Sequence, residues 1–387
     1  MKRKEVCAFS GCYFDNAATS FPKPRETVEA VRHYLCDVGG NPGRSAHFRA
    51  QEAARIAYDV RGRLAALCGS LPERVVFTMN TTYAINLAMK GILRPGDRLL
   101  LSDMEHNATL RPAIALSRQG IGLDFFAVDP LNSRRTLENA AAKITPRTKM
   151  IACLWCSNIC PARLPIAEIG ALCRARGILF LVDGAQAAGH FPTRMDDCSI
   201  DALCLPGHKG LYGPAGVGAL LLSERYLAAA EGMPTLIEGG SGSLSELPEM
   251  PPDFPDRCEA GTLPMPAIAG LGGGLRFLEK NAPAVRAREQ TLYAAARELL
   301  LRTPGVRLYL PELREGSTLL FGLEGKDPAE AGAAFSELGI CLRDGLHCAP
   351  MAHRKLGSPG ALRLSFGAFN TLNELDHFAW AVGRIGL

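Results

Sequence analysis

Short apolar runs alternate with stretches of helical period along the first two thirds of the chain. Val75-Val76-Phe77, Arg98 to Leu101, Lys149 to Leu154, Ile178 to Val182 and Ala202 to Leu205 read as buried strands. Between residues 51 and 67, Ile56, Val60, Leu64 and Leu67 recur at the spacing of one helix face. Strand followed by helix, repeated, predicts a mostly parallel sheet covered on both faces. The pattern changes after about residue 260. Pro264 and Pro266 introduce a helical stretch to about Asn281, followed by a long helix with Leu292, Ala296, Leu299 and Leu300 on one face. Thr318 to Leu323, a helix over Pro328 to Leu338, Gly339 to Leu342, Ala361 to Phe366 and a last helix from Glu374 complete a smaller α/β domain. The expected division is an N-terminal segment 1–20 packing with the small domain, a large domain 21–260 and a small domain 261–387.

Composition narrows the class. The 387 residues are 47% hydrophobic and 21% charged, an ordinary globular balance. A net charge of +4 is too even to imply a nucleic-acid or polybasic membrane partner. The uncharged stretch Gly210 to Ser223 is too short and too broken by glycine to span a bilayer. Met1-Lys2-Arg3-Lys4-Glu5 is followed by no apolar signal core, and thirteen irregularly spaced cysteines suggest reduced thiols in the cytoplasm.

The most informative stretch is Phe180-Leu181-Val182-Asp183-Gly184-Ala185-Gln186, in which a carboxylate directly follows an apolar strand. The next strand ends in Leu205-Pro206-Gly207-His208-Lys209-Gly210. Ligands of open α/β sheets bind beyond the carboxyl ends of the strands, so Asp183 and Lys209 are expected to open on one crevice. A lysine amine can hold pyridoxal phosphate as a Schiff base, and a carboxylate on the pyridine nitrogen keeps the ring an electron sink. Spacing alone also allows a surface lysine and a helix-capping aspartate. Cys348, in Arg343-Asp344-Gly345-Leu346-His347-Cys348-Ala349, lies in a polar turn after a strand. A loop thiol next to a histidine and an arginine is placed to be accessible and partly thiolate. Cys153, Cys173, Cys204 and Cys341 sit in apolar runs and read as small core hydrophobes.

Taken together, Tyr13 to Thr19, Asp183-x-x-Gln186, Gly207-His208-Lys209 and the Arg-x-Gly-x-His-Cys-Ala stretch resemble class V, fold-type I pyridoxal phosphate enzymes. Within that class the chain resembles the cysteine desulfurase and selenocysteine lyase group, in its second subgroup with a short catalytic loop. The resemblance runs over nearly the whole chain and implies a fold-type I α/β enzyme. It implies Lys209, Cys348 and His106 as catalytic residues, with His106 stacked on the cofactor ring. It implies Thr81, Thr82, His106, Asn158, Asp183, Gln186, His208 and Lys209 as cofactor contacts. Thr81 and Thr82 would use a helix start as a phosphate site. Thr262 would reach the phosphate of the other subunit, so a homodimer with shared active sites is expected. Arg363 matches the arginine that grips the substrate carboxylate, a planar group suited to guanidinium, with Asn16 and Ala17 close by. His47 is a further residue expected near substrate. One departure stands out: relatives commonly carry a phosphate-binding serine where this chain has Pro206, which leaves more of the phosphate to His208.

The implied reaction converts L-cysteine to L-alanine and leaves a persulfide on Cys348 for an acceptor protein. Alternatives are selenocysteine lysis, with L-selenocysteine as substrate, and a class V transamination that needs no loop cysteine. A non-enzymatic reading rests on Cys153, Cys156 and Cys160. Its Cys-x-x-Cys spacing lacks a second pair, and no metal is expected.

Overall fold

The computed structural model describes residues 11–43 and 45–386. The N-terminal Met-Lys-Arg-Lys-Glu start and Arg44 lie outside the described residues.

Seven strands form the large sheet, in the order Val75–Thr78, Gly218–Leu222, Ala202–Pro206, Leu179–Asp183, Thr148–Leu154, Arg98–Ser102 and Gly122–Phe126. Gly218–Leu222 runs antiparallel to both its neighbours, and every other pairing is parallel. The fold class is therefore the expected α/β arrangement with a mostly parallel sheet. The inner strands are buried throughout, because helices cover both faces. Alternation sorts their side chains. Phe180, Val182, Leu203 and Leu205 enter the core on one face, and Leu179, Leu181, Ala202 and Cys204 enter the other.

A second, antiparallel sheet has the order Arg343–Gly345, Ala361–Ser365, Thr318–Leu323, Val306–Leu308. Its own core gathers Phe14, Phe321, Phe335 and Phe378. Cys12–Tyr13 pairs in parallel with Ile340–Cys341, so the start of the described chain is stitched to this C-terminal unit.

The structure departs from the sequence pattern in two places. The two helices expected between Pro264 and Leu300 are one helix of 38 residues, Met265–Arg302, with Pro283 inside it. A buried face carrying Phe277, Leu278, Val285 and Leu292 continues across the proline, so packing overrides the missing N–H. Gly122–Phe126 was not legible as a strand, because it is a half-buried edge with Asp124 at its centre.

One consequence of the parallel sheet positions the site. Val75–Thr78, Arg98–Ser102, Thr148–Leu154, Leu179–Asp183 and Ala202–Pro206 all run the same way, so the segments that follow them emerge at one edge.

Candidate active site

That edge holds a cavity of about 280 Å³ lined by Thr81, Thr82, His106, Asn158, Asp183, Gln186, Pro206, His208, Lys209, Arg343 and Cys348. A larger depression of about 970 Å³ over residues 232–251 contains no lysine, histidine or cysteine, so size does not mark the chemistry.

Lys209 sits in the turn after Ala202–Pro206, and burial pulls its amine down to about 8, opposed by the carboxylate of Asp183. Asp183 ends the neighbouring strand, pairs in register with Cys204 and is buried. Burial raises its carboxyl pKa, while the amide of Ala185 at 2.9 Å and Lys209 draw it back. The backbone carbonyl of His208 is a hub. It accepts from the Ser20 amide at 3.0 Å, Thr19 Oγ1 at 3.1 Å and Lys23 Nζ at 2.8 Å. The lysine turn is thereby clamped to the segment 19–23.

His106 caps the helix Asn107–Ser117, its Nδ1 accepting from the Ala108 amide at 3.0 Å. That bond leaves the proton of the neutral ring on Nε2. Burial, then the charge of Lys209, lowers His106 to about 4, so the ring is neutral at ordinary pH. Thr81 opens the helix Thr81–Ile92, where Asn80 Oδ1 takes the Tyr83 amide at 2.9 Å. Gln186 Nε2 donates to the Ala17 carbonyl at 3.0 Å.

Cys348 is exposed at the cavity wall, with Arg343 Nη2 3.8 Å from its Sγ. The sequence placed a histidine beside this thiol, and the structure turns that ring away. His347 is 3% exposed, and burial holds it near 3, so it carries no charge toward Cys348. Arg343 is the cation at the thiol, and the Arg-x-Gly-x-His-Cys pattern was the signal for it.

The expected substrate contacts lie behind the cavity wall. Arg363 is 1% exposed, with Nη2 paired to Asp15 and Nη1 donating to the Asn158 carbonyl at 2.9 Å. Its Nε is buried without a partner. Asn16 spends its amide on Ser365 O and Asn370 Oδ1, and the Ala17 amide bonds Ser365 Oγ at 2.8 Å. Asp15 was missed, since nothing local in the sequence tells of a partner so far along the chain. Thr262 is exposed and does not line the cavity of its own chain. His47 caps the helix Phe48–Cys68 through Nδ1 and is also outside the lining. Cys153 and Cys160 are buried, and among the described residues no group of three metal-ligating side chains is assembled.

The chain matches the model of the family Aminotransferase class-V over residues 12–378 and belongs to that family. It is 33% identical over 383 residues to a "Probable cysteine desulfurase" of Mycolicibacterium paratuberculosis, covering 96% of this chain and 55% of that protein. It is 31% identical to "Cysteine desulfurase CsdA" of Escherichia coli, covering 97% and 94% of the two chains. The chain thus spans little more than half the length of the first relative and nearly all of the second. The structure of a cysteine desulfurase from Thermococcus onnurineus superposes with a TM-score of 0.88 at 30% identity, covering 97% and 94%. That of CsdA in its S-sulfonic acid form gives 0.88 at 29%, covering 99% and 97%.

Pyridoxal phosphate is the cofactor of this family, and the residues fit it. Thr81 Oγ1 and Asn158 Oδ1 are buried at the cavity without partners, one at a helix start suited to phosphate. Lys209 and Asp183 place an amine and a carboxylate in the same cavity, the two groups that an aldehyde and a ring nitrogen would require.

Proposed function

We propose that this chain is a pyridoxal phosphate-dependent cysteine desulfurase, converting L-cysteine to L-alanine and a persulfide on Cys348. The carrying observation is that Lys209, Asp183 and Cys348 face one cavity. A transaminase would need no thiol there.

The bound cofactor supplies an electron sink for charge developing at the substrate Cα. Asp183 would pair with the ring nitrogen, His106 would cover the ring, and Thr81, Thr82 and His208 would hold the phosphate, with Asn158 and Gln186 completing the cradle. The hydroxyl missing at Pro206 would leave the phosphate to the threonines and His208, which line the same cavity. Lys209, with its amine drawn down to about 8, removes the Cα proton. Arg363, which lies behind the cavity wall with its buried Nε without a partner, would be the group that takes the substrate carboxylate, with Asn16 and Ala17 bracing the same wall. Cys348 then attacks the substrate sulfur. An S–S bond forms and the Cβ–S bond breaks. Its electron pair stays on the alanine fragment, where the carbon is protonated.

The persulfide passes to the thiol of an acceptor protein. The exposure of Thr262 supports a homodimer in which it reaches the partner's phosphate site. The pairing of Cys12–Tyr13 with Ile340–Cys341 supports an N-terminal segment that packs with the small domain. The irregular spacing of the thirteen cysteines suits reduced thiols in the cytoplasm.

The test is product analysis. Wild type with L-cysteine is expected to yield alanine and sulfide together. Lys209→Ala is expected to lose the activity by ~10²–10⁴-fold. Cys348→Ser is expected to keep bound cofactor and lose desulfuration. Undiminished sulfide release by Cys348→Ser would assign the attack to another group.

A further inference from the structure

The loop that carries Cys348 is left-handed at two successive residues, φ +52° at His347 and +55° at Cys348. Residues with a Cβ rarely adopt that backbone, so the surroundings must hold it. Two holds come from the large domain. Asn158 Nδ2 donates to the His347 carbonyl at 2.7 Å, and the Asn107 amide donates to the Cys348 carbonyl at 2.8 Å.

The third hold comes from inside the C-terminal unit. His347 Nε2 lies 3.3 Å from the Arg343 carbonyl, and His347 Nδ1 lies 3.1 Å from His353 Nε2. His353 Nδ1 in turn lies 3.0 Å from Ser358 Oγ. The helix Pro350–Lys355 carries His353 back beneath the loop, and both rings are buried. They are parallel within 4° with centroids 5.3 Å apart. With a 3.1 Å contact between ring nitrogens, that separation describes rings joined edge to edge by an in-plane hydrogen bond, not face to face.

The carbonyl end of this chain fixes every proton in it. The Arg343 carbonyl can only accept, so the proton of neutral His347 sits on Nε2. His347 Nδ1 then accepts, which requires the proton of His353 on Nε2. His353 Nδ1 is left to accept, and the Ser358 hydroxyl donates to it. Burial lowers both imidazoles, so the neutral forms this order needs are the stable ones.

We propose that His353, with its tautomer set through His347 from the Arg343 carbonyl and its Nδ1 satisfied by Ser358, is the positioning residue for Cys348: it locks His347 inward and so aims the thiol and Arg343 into the cavity. The kinetic part of the test rests on the cysteine desulfurase reading, whereas the loop's rigidity does not.

The experiment compares holoenzyme of wild type, His353→Phe, His353→Gln and Ser358→Ala. Steady-state kinetics of alanine formation are measured beside amide hydrogen exchange of the peptide covering 345–353. His353→Phe keeps a flat ring but no donor. It is expected to lower kcat about 10- to 100-fold, to leave KM within about twofold and the cofactor absorbance intact, and to speed loop exchange about tenfold. His353→Gln, whose amide can still donate to His347, is expected to recover most of both losses. Ser358→Ala leaves the buried Nδ1 of His353 without its donor, which loosens the ring, and is expected to cost about 3- to 10-fold in kcat. Wild-type kcat and exchange in His353→Phe, or equal damage in His353→Gln, overturns the proposal. Should His353→Phe not fold, unchanged kcat and exchange in Ser358→Ala overturns it. A wild type that forms no alanine from cysteine removes the functional reading, and the exchange data then decide the positioning role alone.

Discussion

Lys209 is a buried amine, and its chemistry follows from the cost of charging it there. With the amine at about 8, the neutral, nucleophilic fraction rises about tenfold per pH unit below that value and levels off above it. Capture of pyridoxal phosphate by cofactor-free protein, followed by absorbance, is expected to accelerate from pH 6 to 8 and then flatten. A rate still climbing at pH 10 would mean that the amine titrates as if solvated. His106 and His347 give a second pH reading. At about 4 and about 3 they are depressed bases, so neither gains a proton between pH 7 and 5. Histidine NMR signals from both rings are expected to stay put over that range. At this scale the sequence was most informative where chemistry is local. Asp183, Lys209, His106 and Cys348 each follow a strand within a few residues. It was silent on the Arg363–Asp15 pair and the Asn158–His347 bond, because those partners meet only when the chain closes on itself. It also set His347 beside Cys348 by adjacency, whereas the His347 ring bonds to His353 and the Arg343 carbonyl and the group near the thiol is Arg343 Nη2.

Among the elements, the helix Met265–Arg302 binds the molecule together. It packs on both Arg25–His33 and Phe48–Cys68. Close approach is bought by glycine. A Cβ on Gly274 would sit 2.2 Å from the Leu211 carbonyl oxygen, and one on Gly273 would sit 2.3 Å from that of Glu26. Gly274→Ala is therefore expected to destabilise by at least about 1–3 kcal/mol and to weaken cofactor retention, since Leu211 follows the lysine turn directly. Gly62, in the neighbouring helix, has open space around it, so Gly62→Ala is expected to stabilise by about 0.5–1 kcal/mol. Thermal melts of the two variants should move in opposite directions, and a shared sign would contradict the packing account. The inner strands were legible as apolar runs because burial on both faces leaves no room for polar residues. The continuity of the long helix was not legible, since Pro283 reads as a break when its packing is unseen.

For the whole molecule, the cavity is complete in its lysine, carboxylate and thiol, yet Thr262 stands outside it. The nearby segment exposes Ile237, Leu244 and Leu247, an apolar surface that a second copy would cover. Sedimentation is expected to give twice the 41.5 kDa of one chain, and Thr262→Val to lower cofactor affinity within that dimer. A fully active species of single-chain mass would place the phosphate contacts within one subunit.

If the proposed function holds, the two donors that pin the carbonyls of His347 and Cys348 would also govern how sulfur leaves. A nucleophile fastened on both sides has no tether on which to swing outward, so cargo must be fetched rather than handed over. On the proposed reading, an acceptor thiol would have to come to Cys348, which stands exposed at the cavity wall.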